Sequence, residues 1–193
     1  MYKTIYVSAV IQAQEYLSHY RDKEKFIVFC RQCARYNNCW ACPPYEFNTE
    51  EYLAGYNAVH ILGVKITPAA SLRERCHSLE QSKHTGRTIL AEVRQQMDEK
   101  LLALENEYRD SRAFFAGTCF NCPENECTRI HHRSCIHPEK VRPPLEAFGF
   151  DIGKTTSELL GIELQWSHDN QLPEYFTLIS GFFTNEEIGQ IAW

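Results

Sequence analysis

Hydrophobic and polar positions alternate at the start of the chain. Ile5, Val7, Ala9 and Ile11 fall at every second position among mostly polar or small residues, a period of two that predicts a strand. From residue 12 to 29 the anchors are Tyr16, Leu17, Tyr20, Phe26 and Phe29, which predict helix or helical pieces. Asn48 to Glu51 has capping-box spacing, with Gly55 placed to end a short helix. The run from Ala58 to Val64 is nearly all apolar and predicts a buried strand. Ser71 to Glu74 is a second capping box, opening a helical region to about Tyr108. There Leu90, Val93, Met97, Leu101 and Leu104 recur at three- and four-residue steps. Gly86 is expected to divide this region, because one helix of about 37 residues would be unusual.

The second half carries shorter signals. Arg112 to Gly117 predicts a third strand. Pro143-Pro144 opens a short helix that Gly149 ends, and about 154–160 forms another ended by Gly161. Tyr175 to Ile179 predicts a fourth strand, and Thr184 to Glu187 caps a final helical turn. The sequence of elements predicts an α+β (or α/β) fold, a small central sheet with flanking helices and two cysteine-rich metal-binding loop regions. The expectation is one domain over residues 1–193, with cysteine blocks at 30–42 and 119–135.

Composition narrows the function. The chain has 193 residues, 44% of them hydrophobic and 23% charged, enough for a packed core. A net charge of −5 without a basic block argues against nucleic acid as a partner. No apolar run approaches the roughly 18–20 residues of a membrane helix, and no secretory leader is recognisable. A cytoplasmic location, away from the membrane, is expected. Nine cysteines could make a disulfide framework, but that suits short secreted chains. An odd count in a longer chain without a leader favours metal binding or redox work.

Eight of the nine fall into two groups. Cys30, Cys33, Cys39 and Cys42 form two Cys-x-x-Cys pairs ending in Pro43-Pro44. Cys119, Cys122, Cys127 and Cys135 form the second group, with Pro123 after Cys122. A two-residue gap lets two thiolates turn toward one centre, and four thiolates suit tetrahedral zinc or an iron–sulfur cube. The short loop between the first pairs and the Cys-Pro steps favour two 4Fe-4S clusters, with two zinc ions as the alternative. Ligands are open to crossing between the blocks, as in two-cluster ferredoxins.

Arg31, Arg35, Arg129, His131, His132, Arg133, Lys140 and Arg142 lie near the groups and would offset cluster charge. Taken singly, each is plainly read as surface charge. Tyr36, Trp40, Tyr45 and Phe120 would shield a cluster, or are ordinary core. His131, His132 and His137 flank the second group, where one could replace a cysteine as ligand, but four cysteines already stand there. Cys76 stands apart as a buried helix cysteine, a reactive thiol being the sharper reading. His60, His77 and His84 have no partner pattern. Residues 149–156 superficially resemble a phosphate loop but lack its glycine spacing.

These motifs resemble a family of unknown function described as predicted metal-binding proteins. The first match is Cys30-x-x-Cys33, then Tyr36, Trp40 and Cys42-Pro43-Pro44. The second runs from Cys135-x-His137-Pro138 through Arg142-Pro143 to Glu146-Ala147-x-Gly149-x-Asp151. The family usually has glycine after the tyrosine. Here Asn37-Asn38 stands there, and asparagine tolerates the positive φ such a turn requires. The resemblance implies metal binding and names no reaction. Glu146 and Asp151 read equally as ligands or bases and as parts of a helix with its glycine stop.

The leading expectation is electron transfer to a redox partner protein, or a redox accessory role. The alternatives are an iron–sulfur enzyme acting on a small-molecule substrate and a non-catalytic zinc-binding interaction module. Whether the chain is an enzyme stays open. Phe182, Phe183 and Trp193 are candidates for a homodimer surface, a packed terminus being the simpler account.

Overall fold

The computed structural model describes residues 2–122, 126–167 and 171–191. Pro123 and Trp193 therefore lie outside the described residues. The elements run β1 (Tyr2–Gln12), α1 (Ala13–His19), α2 (Lys23–Gln32), α3 (Thr49–Leu53), β2 (Ala58–Pro68), α4 (Ala70–Arg73) and α5 (Leu79–Glu107). They continue with β3 (Ser111–Phe114), α6 (Ile152–Leu160) and β4 (Phe176–Thr184), with 3-10 turns at Thr128–His131 and Leu145–Phe148. The four strands form one sheet in the order β1-β2-β4-β3. Every pairing is antiparallel, so of the two expected classes α+β holds.

Alternation along the strands sorts side chains onto two buried faces. Leu62, Val64 and Ile66 of β2 meet Ile89, Val93, Met97 and Leu101 of α5 on one side. Val59 and Ile61 of β2 and Phe183 of β4 turn to the other, joining Tyr16, Phe114, Leu145, Phe148 and Phe150. Both faces are covered, which is why β2 reads as a nearly continuous apolar run. Phe182 and Phe183 are fully buried on opposite faces of β4, so neither offers a dimer surface. Strand pairing with β2 carries both inward.

Helix boundaries follow the caps. Asn48 accepts from the Glu50 N–H, Ser78 from Gln81 and Asp151 from Lys154. The region from Ser71 differs from expectation. α4 lasts one turn, and the long helix starts from Ser78 and runs unbroken through Gly86. A Cβ on Gly86 would lie 3.1 Å from Phe176 Cζ, so the glycine lets α5 approach β4 and is no helix break. The expected helix over 12–29 is also divided. β1 takes Gln12, and α1 and α2 are separated at 20–22, where Arg21 bridges to Phe150. Thr184 ends β4 with its hydroxyl bound to the Glu186 N–H, and no helix follows among the described residues.

The segment 143–151 ties the cysteine blocks to this core. The Arg21 Nε donates to the Phe148 carbonyl (2.7 Å), Asp22 N–H to Gly149 and Asp151 N–H to Tyr20. Gly149 has φ +87° and its α-carbon faces Lys23, whose Cα would be 2.6 Å from an added Cβ. Only glycine satisfies both demands. Among the described residues no helix is long and apolar enough to cross a membrane.

Candidate metal centre

The first block is built at the end of α2. Cys30 lies in its last turn, and Cys33 caps it with its N–H on the Cys30 carbonyl. Asn37 adopts φ 58° and gives its N–H to the Pro43 carbonyl (2.8 Å), closing the loop between the two pairs. The departure from glycine is therefore accommodated as asparagine's tolerance for that region predicts. A tight turn then joins Cys39 and Cys42, with the Cys42 N–H on the Cys39 carbonyl. Tyr45 follows, its hydroxyl on the Ala41 carbonyl (2.7 Å) and its ring 5.0 Å from that of Phe148.

The second block starts where the chain leaves β3. Cys119 follows Thr118, and Cys127 precedes the 3-10 turn that carries Arg129. Asn121 Nδ2 donates to the Lys140 carbonyl, tying the start of the block to the segment that follows it. A common local pattern appears in both blocks. The N–H two residues beyond the cysteine donates to its sulfur: Arg35 to Cys33 (3.4 Å), Asn121 to Cys119 (3.5 Å), His137 to Cys135 (3.4 Å). Ala41 does the same for Cys39. Such donors stabilise thiolate character and tune sulfur-ligated centres.

The blocks meet. Cys39, Ala41 and Cys42 are buried and pack against Cys119, Cys127 and Val141. The Thr118 hydroxyl donates to Cys39 Sγ (3.4 Å) and lies 3.4 Å from Cys42 Sγ, while the Cys119 N–H also reaches Cys39. Arg129 is the main clamp. It is 8% exposed, and Nη1 donates to the carbonyls of Cys39 (2.9 Å) and Cys42 (2.6 Å) and Nη2 to that of Pro44. Its guanidinium also faces the Trp40 ring, whose Nε1 donates to the Arg133 carbonyl. Arg129 thus holds the first block's backbone from within the second.

The electrostatics follow from these contacts. A hydrogen bond from the Cys42 thiol, with those from Thr118 and the Ala41 and Cys119 N–H groups, holds Cys39 below the usual thiol range. The same bond and burial push Cys42 up. Burial pushes Cys119 up to about 11 and also raises Cys30, Cys122 and Cys135. Cys39 contributes to the rise at Cys119, Cys122 and Cys135, in keeping with its packing against Cys119 and Cys127. Charge from a bound cation is what such thiols require to ionise together.

The other sequence candidates divide. Cys33 is exposed and Cys30 half-buried. Among the described residues no three His, Cys, Asp or Glu side chains close on one point as a finished cage. The chemistry of the donor set, soft sulfurs with N–H groups turned toward them, fits a thiophilic metal. Arg142 does not face the sulfurs but pairs with Glu105 of α5. Arg31, Arg133, Lys140, His131 and His132 are exposed, and Arg35, Tyr36, Trp40, Tyr45 and His137 are half-buried. Phe120 is 60% exposed but covers the Arg94 guanidinium at 4.3 Å. Cys76 is buried between α4 and α5, its sulfur 3.7 Å from the Thr85 hydroxyl. His60 is buried on β2, and burial lowers its pKa.

Asp151 caps α6 and Gly149 ends the preceding turn. Glu146 is different. It is half-buried, burial raises its pKa, and it borders two cavities, one beside Cys30 and one beside Thr118. Sequence reasoning missed Thr118 and Arg94. The threonine's position next to Cys119 was the available signal.

A family described as predicted metal-binding protein (DUF2284) matches residues 16–180. The chain belongs to this family, whose function is unknown. No curated protein and no solved structure matches it.

Proposed function

We propose that this metal-binding protein holds two 4Fe-4S clusters in its cysteine blocks and serves as an electron-transfer or redox accessory protein. The observation that carries the reading is the packing of Cys39 and Cys42 against Cys119 and Cys127, with backbone N–H groups donated to sulfur in both blocks. The ligands are Cys30, Cys33, Cys39, Cys42, Cys119, Cys122, Cys127 and Cys135. A bound cluster would supply one-electron chemistry.

The chain's own groups support that use. Burial of Cys39 and Cys42 under Ala41 and Val141 excludes water, which sets potential along with hydrogen bonds to sulfur. Exposed Cys33 leaves one side of the first block near solvent, where a redox partner protein could approach. Arg129 and Thr118 join the blocks, so the two centres would lie close together.

The test is metal and acid-labile sulfide content, with a visible spectrum, on protein purified without oxygen. About eight iron and about eight sulfide per chain are expected, with a band near about 400 nm that bleaches on reduction. About two zinc and no sulfide would overturn the redox reading and leave a structural zinc module.

A further inference from the structure

β3 stops at Phe114, opposite Gly181, and β4 extends beyond it toward Phe176. The chain that leaves β3 turns away through Ala116, Gly117 and Thr118. Between that departure, α5 and the free edge of β4 lies a cavity of about 290 Å³. Leu90, Arg94, Thr118, Glu146, Thr177 and Ile179 are among the residues that line it. A cavity of about 150 Å³ already admits a benzene ring, so this one has room for a small organic molecule.

Two buried polar groups of the lining have no partner. Arg94 is 2% exposed. Its Nε binds Asp98 and its Nη2 the Gly117 carbonyl, but Nη1 is unbonded. That nitrogen lies 3.7 Å from where a Cβ on Gly117 would stand, and both residues line the cavity. The Thr177 hydroxyl is likewise buried and unbonded. Buried polar groups are nearly always bonded, so a cation and a hydroxyl left free around one cavity point to an oxygen-bearing ligand. The remaining lining is mostly aliphatic, and one guanidinium nitrogen with one hydroxyl offers few donors, enough for a single carboxylate and too few for a phosphate.

We propose that this cavity binds a small monocarboxylate with a compact apolar body. Nη1 of Arg94 and the Thr177 hydroxyl take its carboxylate, and Leu90, Leu164 and Ile179 enclose its hydrocarbon part. Thr118 forms part of the wall while bonding the sulfurs of Cys39 and Cys42, so the ligand sits next to the sulfur centre. The site stands on Arg94 and Thr177, whichever metal the cysteines carry.

Calorimetric titration of the purified chain with benzoate, and with benzyl alcohol as the neutral ring of like size, tests it. Benzoate should bind once per chain, and benzyl alcohol at least about tenfold more weakly. Arg94→Met should weaken benzoate by about tenfold or more. Thr177→Val, which keeps shape and leaves the helices untouched, should weaken it several-fold with an unchanged thermal melt. No binding of benzoate at millimolar concentration, equal binding of the two probes, or wild-type affinity in Thr177→Val would overturn the proposal. Metal is assayed on the same samples. Protein purified without oxygen that carries zinc and no sulfide, yet still binds benzoate through Arg94, would sink the cluster reading and leave this one standing.

Discussion

The guanidinium of Arg129 lies 5.1 Å from the centre of the Trp40 ring, one residue from each cysteine block joined face to face. The same guanidinium serves three carbonyls of the Cys39–Pro44 turn. Its burial is tolerable because the donors are used and the aromatic face covers the charge. Arg129→Met keeps the stem and removes the donors. Leaving those carbonyls unsatisfied should cost about 3 kcal/mol, or about 6–12 °C in melting temperature for a chain of this size. Arg129→Lys should recover only part, since one ammonium cannot copy the planar fork. Melting curves and metal content of the two variants check this. A methionine variant that melts and retains metal like the parent would remove Arg129 from the role of clamp.

Phe183 sits in the core with ring centres of Phe114, Tyr56, Phe150 and Tyr16 at 5.0, 5.8, 6.0 and 6.3 Å. Phe183→Ala should cost about 3–5 kcal/mol. Phe29, 61% exposed on α2, should cost no more than about 0.5 kcal/mol when changed to alanine. Denaturant melts of both variants decide the point. A small effect at Phe183 would contradict its place in the core.

The strands and the caps were legible because local physics writes them into short windows. Period-two alternation gave β1, the apolar run gave β2, and Asn48, Gly149 and Gly161 marked element ends. Gly86 misled because a helix glycine signals a break and close packing alike, and only the position of Phe176 separates them. Phe182 and Phe183 looked peripheral by their nearness to the chain end, but pairing of β4 between β2 and β3 makes them central. The cysteine groups were plain in sequence. Their meeting was not, since Arg129 and Cys39 are 90 positions apart and Thr118 and Cys39 are 79 apart. Arg94 was hidden for a similar reason, its neighbours coming from β3's exit and β4.

Asp98 supplies a prediction for pH. It lies on α5 beside Arg94, on a second cavity that Glu99 and Lys140 also border, and its Oδ1 is buried without a partner. Burial pushes its pKa up to about 7 despite the pull of Arg94. The folded protein therefore binds more protons than the unfolded chain between about pH 4 and about pH 7. Stability from this group falls as pH rises through that window, and the full cost is felt above it. Asp98→Asn cannot ionise. Its stability relative to the parent should rise from about pH 4 to about pH 7 and then level off. Paired denaturant melts across that range measure the difference, and a flat or falling difference would mean that Asp98 is not held in its neutral form by burial.

Cys39 and Cys76 are both buried, and they should behave in opposite ways. Cys39 receives N–H groups from Ala41 and Cys119 and the hydroxyl of Thr118, and it packs against Cys119 and Cys127 of the second block. The Cys76 sulfur lies 3.7 Å from the Thr85 hydroxyl, and the residue stands apart from both groups in sequence. A serine hydroxyl is a poor substitute for a thiolate on a soft metal. Cys39→Ser should therefore lose about half or more of the bound metal, and disturb the contacts that the second block makes with Cys39. Cys76→Ser should keep the full metal complement and cost no more than about 1–3 kcal/mol, the price of a hydroxyl in a buried thiol's place. Metal content per chain, measured on both variants beside the parent, reads the contrast directly. Equal loss in the two would mean that metal retention follows general stability, and equal retention would take Cys39 out of the ligand set.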